Sequence, residues 1–153
     1  MVEALAWHNG RVLPVEEASP SAASMSLNMG LAVFDGLMAY RNDGDYRLHA
    51  AAEHFERLRT GSTRMGFPIS WTVPQLIGAV RELLAQVPPA TYYVRPIVYR
   101  GARHLWLTGI DDIPVDTTIV VAPVGRDVDA GLRVGFSPVQ RVSSHAVPVS
   151  WKI

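Results

Sequence analysis

Two helical segments stand in succession in the middle of this chain and only extended patterns follow them, an order that rules out the strand–helix–strand alternation of a parallel sheet. From Ala50 to Met65, Phe55, Leu58 and Met65 are spaced for one buried helix face, and Gly66 and Pro68 stop the run. In "TVPQLIGAVRELLAQV", Leu76, Val80, Leu83, Leu84 and Val87 form a second stripe that ends at Pro88-Pro89. The stretches "TYYVRPIVYRG", "TTIVVAPVG" and "GLRVGFSPVQRV" then read as strands. Upstream, Asn9-Gly10 folds "LAWHNGRVLPV" into a hairpin, because that dipeptide tolerates the positive φ of a tight turn. "EEASPSAAS" interrupts the pattern, and "LAVFDGLMAYR" is turned back by "NDG" at 42–44 into "DYRLHA". The expectation is an α+β fold, a mainly antiparallel sheet with two helices. After Val142, "SSHAVPVSWKI" alternates as a strand with no partner following it, so the sequence reads as cut rather than finished.

With 153 residues, 48% hydrophobic and 18% charged, the chain has enough apolar material for one buried core. Its formal net charge is zero and no basic block occurs, which argues against nucleic-acid and membrane-surface partners and leaves small molecules or protein. There are no cysteines, so disulfide and thiol chemistry are excluded. The opening "MVEALAWHNGRV" lacks the basic and apolar regions of a secretory signal, and no apolar run approaches the ~20 residues of a membrane-spanning helix. A cytoplasmic location is expected.

Lys152 is the only lysine in the chain. In "VPVSWKI", Val147, Val149, Trp151 and Ile153 fall on one face of a strand while Ser150 and Lys152 fall on the other. Such a lysine is either a solvated surface charge or, where burial lowers its pKa, an amine able to form a Schiff base with an aldehyde. Arg57, in "EHFERL", stands four residues after Glu53, which fits a surface helix pair. The functional alternative is an arginine reaching a phosphate through paired hydrogen bonds, and spacing does not separate the two. Alternation in "YYVRPIVYRG" puts Tyr93, Arg95, Ile97 and Tyr99 on one face and Tyr92, Val94, Pro96 and Val98 on the other. Arg95 between tyrosines is a carboxylate clamp or a stem lying across packed rings. The five histidines have no metal-ligand spacing, so no metal is expected, and no GxSxG elbow is present.

Taken in order, "WHNGRV", "MGLAVFDGLMAY", "EHFERL", "YYVRPIVYRG" and "VPVSWK" resemble the N-terminal half of class IV aminotransferases, the fold-type-IV pyridoxal-phosphate enzymes, and the branched-chain amino-acid aminotransferase group in particular. The resemblance implies a small α+β domain over residues 1–135, with 136–153 as the connection and first strand of a larger C-terminal domain. It implies pyridoxal 5'-phosphate as cofactor, bound by Arg57 at its phosphate and by Lys152, the Schiff-base and proton-shuttling residue. Phe34, Gly36, Tyr93 and Arg95 match substrate-facing positions. Met29 and Met38 stand where the family often has a tyrosine and an arginine, and Asp127 near where an aromatic is common, departures that change which side chains the pocket holds.

The activity implied is transamination between amino acids, or related primary amines, and keto acids. The carboxylate that pairs with the cofactor's pyridine nitrogen and the loops that complete the phosphate site belong to a complementary C-terminal segment, and a homodimer is expected. A lyase resembling aminodeoxychorismate lyase uses the same lysine and arginine; a non-catalytic scaffold retaining only the small domain is the alternative outside enzymology.

Overall fold

The structure, a computed structural model, describes residues 4–103, 108–125, 131, 133–140 and 142–143. Both tight turns form as the sequence requires. Strands β1 (Leu5–His8) and β2 (Arg11–Pro14) meet at Asn9-Gly10, with φ of 46° and 94°. Strands β4 (Leu37–Asn42) and β5 (Asp45–Leu48) meet at Asp43-Gly44, with φ of 41° and 95°. Two consecutive residues at positive φ give the turn the twist that its flanking strands need.

The two long helices are α2 (Ala51–Arg64) and α3 (Val73–Leu84). Thr72 caps α3 in a capping box: its hydroxyl oxygen accepts from the Gln75 N–H, and the Gln75 side chain accepts from the Thr72 N–H. A short helix absent from the sequence-based expectation, α1 (Met25–Met29), directly follows the interrupting segment, capped by that segment's last residue, Ser24, and closed by Gly30 at φ 69°. A 3-10 turn spans Ile110–Asp112.

With β3 (Ala32–Phe34), β6 (Tyr92–Arg100) and β7 (Val115–Pro123), the strands make one seven-stranded sheet ordered β2-β1-β7-β6-β4-β5, in which β3 also pairs with β6. Every pairing among the described residues is antiparallel. On β6, Tyr92, Val94, Pro96, Val98 and Arg100 are buried and face α2 and α3, while Tyr93, Arg95 and Ile97 are half-buried or exposed on the opposite, open face. The core fills the space between sheet and long helices, with Phe55, Leu58, Leu76, Val80 and Leu83 packed on Val33, Leu37, Val94 and Ile119. Burial of this kind is the main favourable contribution to folding.

One strand expectation fails. Within 131–142 the described residues are not in a strand, and Val134, Phe136 and Val139 are each at least 80% exposed. An alternating sequence becomes a strand only where a neighbouring edge takes up its backbone groups, and no described strand pairs with it. "VPVSWKI", with Lys152, lies outside the described residues, as does Asp127.

Candidate active site

The site begins with a break in one strand. Strands β3 and β4 pair with β6 in a single continuous register, Phe34 opposite Ile97 and Leu37 opposite Val94, so Asp35 stands opposite Pro96 and Gly36 opposite Arg95. The Asp35 N–H donates to the Pro96 carbonyl at 3.0 Å. In an antiparallel ladder the return bond comes from the N–H of that same residue, and proline has none. The ladder therefore opens at Asp35-Gly36, inside the sheet.

Alternation continues through the break. Val33, Asp35, Leu37 and Ala39 all face the helices and are buried; Phe34, Gly36 and Met38 face the open side. Asp35 is thus a carboxylate at 0% exposure on the core face, a position it can occupy only with charge and hydrogen-bond partners. Arg57 of α2 supplies both. Its Nε donates to Oδ2 at 2.7 Å and its Nη2 to Oδ1 at 2.6 Å, two parallel charge-assisted bonds. The Gly36 N–H donates to Oδ1 at 2.7 Å, and His54 Nδ1 lies 3.0 Å from both Oδ1 and Arg57 Nη2.

Burial pushes the Asp35 carboxyl up, but the bonds from Arg57, Gly36 and His54, with the Arg57 charge, outweigh it and hold the pKa below the ordinary value. The bond to Asp35 in turn raises the Arg57 pKa against its own desolvation. The alternative surface pairing of Arg57 with Glu53 is not made: the buried carboxylate is the stronger attractor, because it has no water to compete for it. The Arg57 side chain remains 41% exposed, and its Nη1 makes no hydrogen bond to the described residues.

On the open face, five of the sequence-derived candidates converge. The Arg95 guanidinium lies 5.1 Å from the Phe34 ring centroid and 5.3 Å from that of Tyr93, and its Nη2 donates to the Tyr93 hydroxyl at 3.1 Å. Met38 is the cross-strand partner of Tyr93. Gly36 lies beneath the phenol: a Cβ there would come within 2.8 Å of the Tyr93 ring carbons Cε2 and Cζ and closer still to the hydroxyl, so only glycine fits. Met29 ends α1 and is half exposed.

The sequence reading missed Asp35 and His54. The signal for Asp35 was present, since an acid in register with Val33, Leu37 and Ala39 on a strand requires a cation from elsewhere. His54 precedes Arg57 by three residues and so lies one helical turn away on the same side of α2.

An antiparallel sheet backed by two helices is the architecture of the N-terminal part of class IV aminotransferases. The chain is homologous to the N-terminal half of the branched-chain members of that class. It is 31% identical over 97% of its length to a probable branched-chain-amino-acid aminotransferase of Aquifex aeolicus, of which it covers 49%. Among solved structures, the Thermoproteus uzoniensis branched-chain aminotransferase with norvaline superposes with a TM-score of 0.85 at 28% identity, covering 95% of this chain and 50% of that one. The Thermobaculum terrenum branched-chain aminotransferase in its PLP form superposes at a TM-score of 0.67 and 26% identity, over 81% and 41% of the two chains. The chain thus spans about half the length of the relatives it matches. No protein-family model matches it.

Proposed function

We propose that this chain forms the substrate-facing and phosphate-gripping half of a pyridoxal-phosphate-dependent aminotransferase, acting on an amino acid with an apolar side chain. The observation that carries the reading is the Arg95 guanidinium seated between the rings of Phe34 and Tyr93 on the open sheet face. On the helix-bearing side of the same sheet, Arg57 is held by Asp35, which stands between Phe34 and Gly36. A cationic group flanked by a phenol hydroxyl and apolar surface suits a ligand with a carboxylate at one end and hydrocarbon at the other. Met38, unbranched and polarizable, lines the apolar end in place of a charged residue. That substitution favours hydrophobic substrates over acidic ones.

Arg57 fits the phosphate of the cofactor. Its guanidinium is permanently charged, part-exposed, oriented from behind by a carboxylate, and at Nη1 makes no hydrogen bond among the described residues. Bound pyridoxal phosphate supplies an aldehyde that joins amino groups and a ring that accepts electron density from the substrate α-carbon. Lys152 would provide the amine that holds the aldehyde and would carry the proton at the substrate α-carbon. Arg95 and Tyr93 hold the substrate carboxylate, and Phe34 and Gly36 shape the floor beneath it. Residues 1–135 act as the small domain, and 136–153 lead into the larger one. A polypeptide equivalent to the other half of the relatives contributes the carboxylate partner of the cofactor ring and the remaining phosphate contacts, and the assembled enzyme is a homodimer working in the cytoplasm.

A single-turnover substrate panel tests this reading. The completed enzyme, loaded with pyridoxal phosphate and mixed with one amino acid at a time, is followed by loss of the cofactor's aldehyde absorbance. Hydrophobic amino acids convert fastest, and Arg95→Ala loses most of that rate. Aspartate or glutamate as the best donors by far, with aliphatic amino acids inert, contradicts the pocket assignment.

A further inference from the structure

We infer that Asp35 is a positioning residue for the phosphate contact of Arg57: its buried carboxylate takes up Nε and Nη2, and so fixes the guanidinium edge carrying Nη1 as the one offered to a phosphate. This rests on the role proposed for Arg57 above.

An arginine that is 41% exposed on a helix surface ordinarily samples many rotamers, and a ligand that uses it must stop that motion. Asp35 stops it beforehand. The carboxylate has no freedom of its own, because it is wholly buried, its backbone N–H is tied to the Pro96 carbonyl at 3.0 Å, and its Oδ1 accepts from the Gly36 N–H at 2.7 Å. Two bonds from one planar guanidinium to one planar carboxylate fix the plane as well as the position of the arginine head. His54, whose Nδ1 is 3.0 Å from both Oδ1 and Nη2, closes a further side of the pair.

The arrangement has an electrostatic cost, since a carboxylate behind the guanidinium cancels part of its attraction for an anion. A site built only to attract phosphate has no use for an acid there. The pairing exchanges net charge for fixed direction, and that exchange separates a positioning role from a merely structural tie between the strand break and α2.

The test compares pyridoxal phosphate with pyridoxal, which lacks the phosphate, as ligands of the completed protein, measuring dissociation constants by absorbance for wild type, Asp35→Asn, Arg57→Ala and Arg57→Lys. Asp35→Asn keeps the size of the side chain and an oxygen for the Gly36 N–H. It should reduce the preference for the phosphorylated ligand about tenfold or more, the scale of one charge-assisted bond, while pyridoxal affinity stays unchanged. Asp35→Asn in the Arg57→Ala background should add nothing further. Arg57→Lys, which keeps the charge and loses the paired geometry, should lose nearly as much preference as Arg57→Ala, and it decides the matter should Asp35→Asn fail to fold. An unchanged preference in Asp35→Asn or in Arg57→Lys overturns the inference while leaving the aminotransferase reading intact. Equal losses for both ligands in Asp35→Asn reduce Asp35 to a structural tie and overturn it too. A wild-type protein that binds neither ligand defeats the functional reading itself, and this inference with it.

Discussion

At the scale of single residues, the chain concentrates its special chemistry in Phe34-Asp35-Gly36, three neighbours that face alternate sides of one sheet. Asp35 makes a pH-dependent contribution to stability. Its folded pKa lies below the unfolded value of about 3.9, so the contribution is fully present above that value and is lost as pH falls through the folded pKa. Thermal melts of wild type and Asp35→Asn should differ by a constant gap above about pH 5, equivalent to about 1–3 kcal/mol, that narrows below about pH 4. A gap independent of pH down to acid unfolding contradicts the ionised pair. Gly36 is constrained from the other side by the Tyr93 ring. Gly36→Ala should cost about 1–3 kcal/mol in denaturant titrations, and clearly less in a Tyr93→Ala background, because the two side chains then no longer compete for one space.

At the scale of elements, what the sequence shows depends on whether an element carries its own instructions. The two long helices do. Their stripes and terminating prolines or glycines lie within each segment, α3 adds the Thr72 cap, and Leu76, Val80, Leu83 and Leu84 are buried as their spacing requires. The two hairpins do as well, through Asn9-Gly10 and Asp43-Gly44. The segment 131–142 does not, because alternation fixes which residues share a face and not which edge receives the strand. Helix α1 has only a cap, Ser24, and a stop, Gly30, around five residues, too few for a periodic stripe. The break between β3 and β4 was written in two distant places, Asp35 on one strand and Pro96 on another, and became legible only once the register joined them. The Thr72–Gln75 box is a local instruction that can be removed alone. Thr72→Ala should lower stability by about 1 kcal/mol, read by denaturant titration, with no change in cofactor or substrate binding.

At the scale of the whole molecule, the sheet separates two tasks. Its helix-bearing side holds Asp35 and Arg57, and its open side holds Arg95, Tyr93, Phe34 and Met38. Tyr93 and Arg95 were recoverable together because alternation along β6 put them on one face, whereas Phe34, Gly36 and Met38 were indicated only by the family resemblance. Arg57 was recoverable as a candidate, but its partner was not, since Glu53, one helical turn away, masked a carboxylate 22 positions away. The chain spans about half the length of its relatives, so the functional account requires a second half that brings a buried environment to Lys152. The most direct measurement is to mix the chain with pyridoxal phosphate, with and without its C-terminal complement, reduce with borohydride, and map the adduct by mass spectrometry. The account predicts a stoichiometric adduct on Lys152 when the complement is present and little without it; no adduct on Lys152 in the completed protein would contradict it.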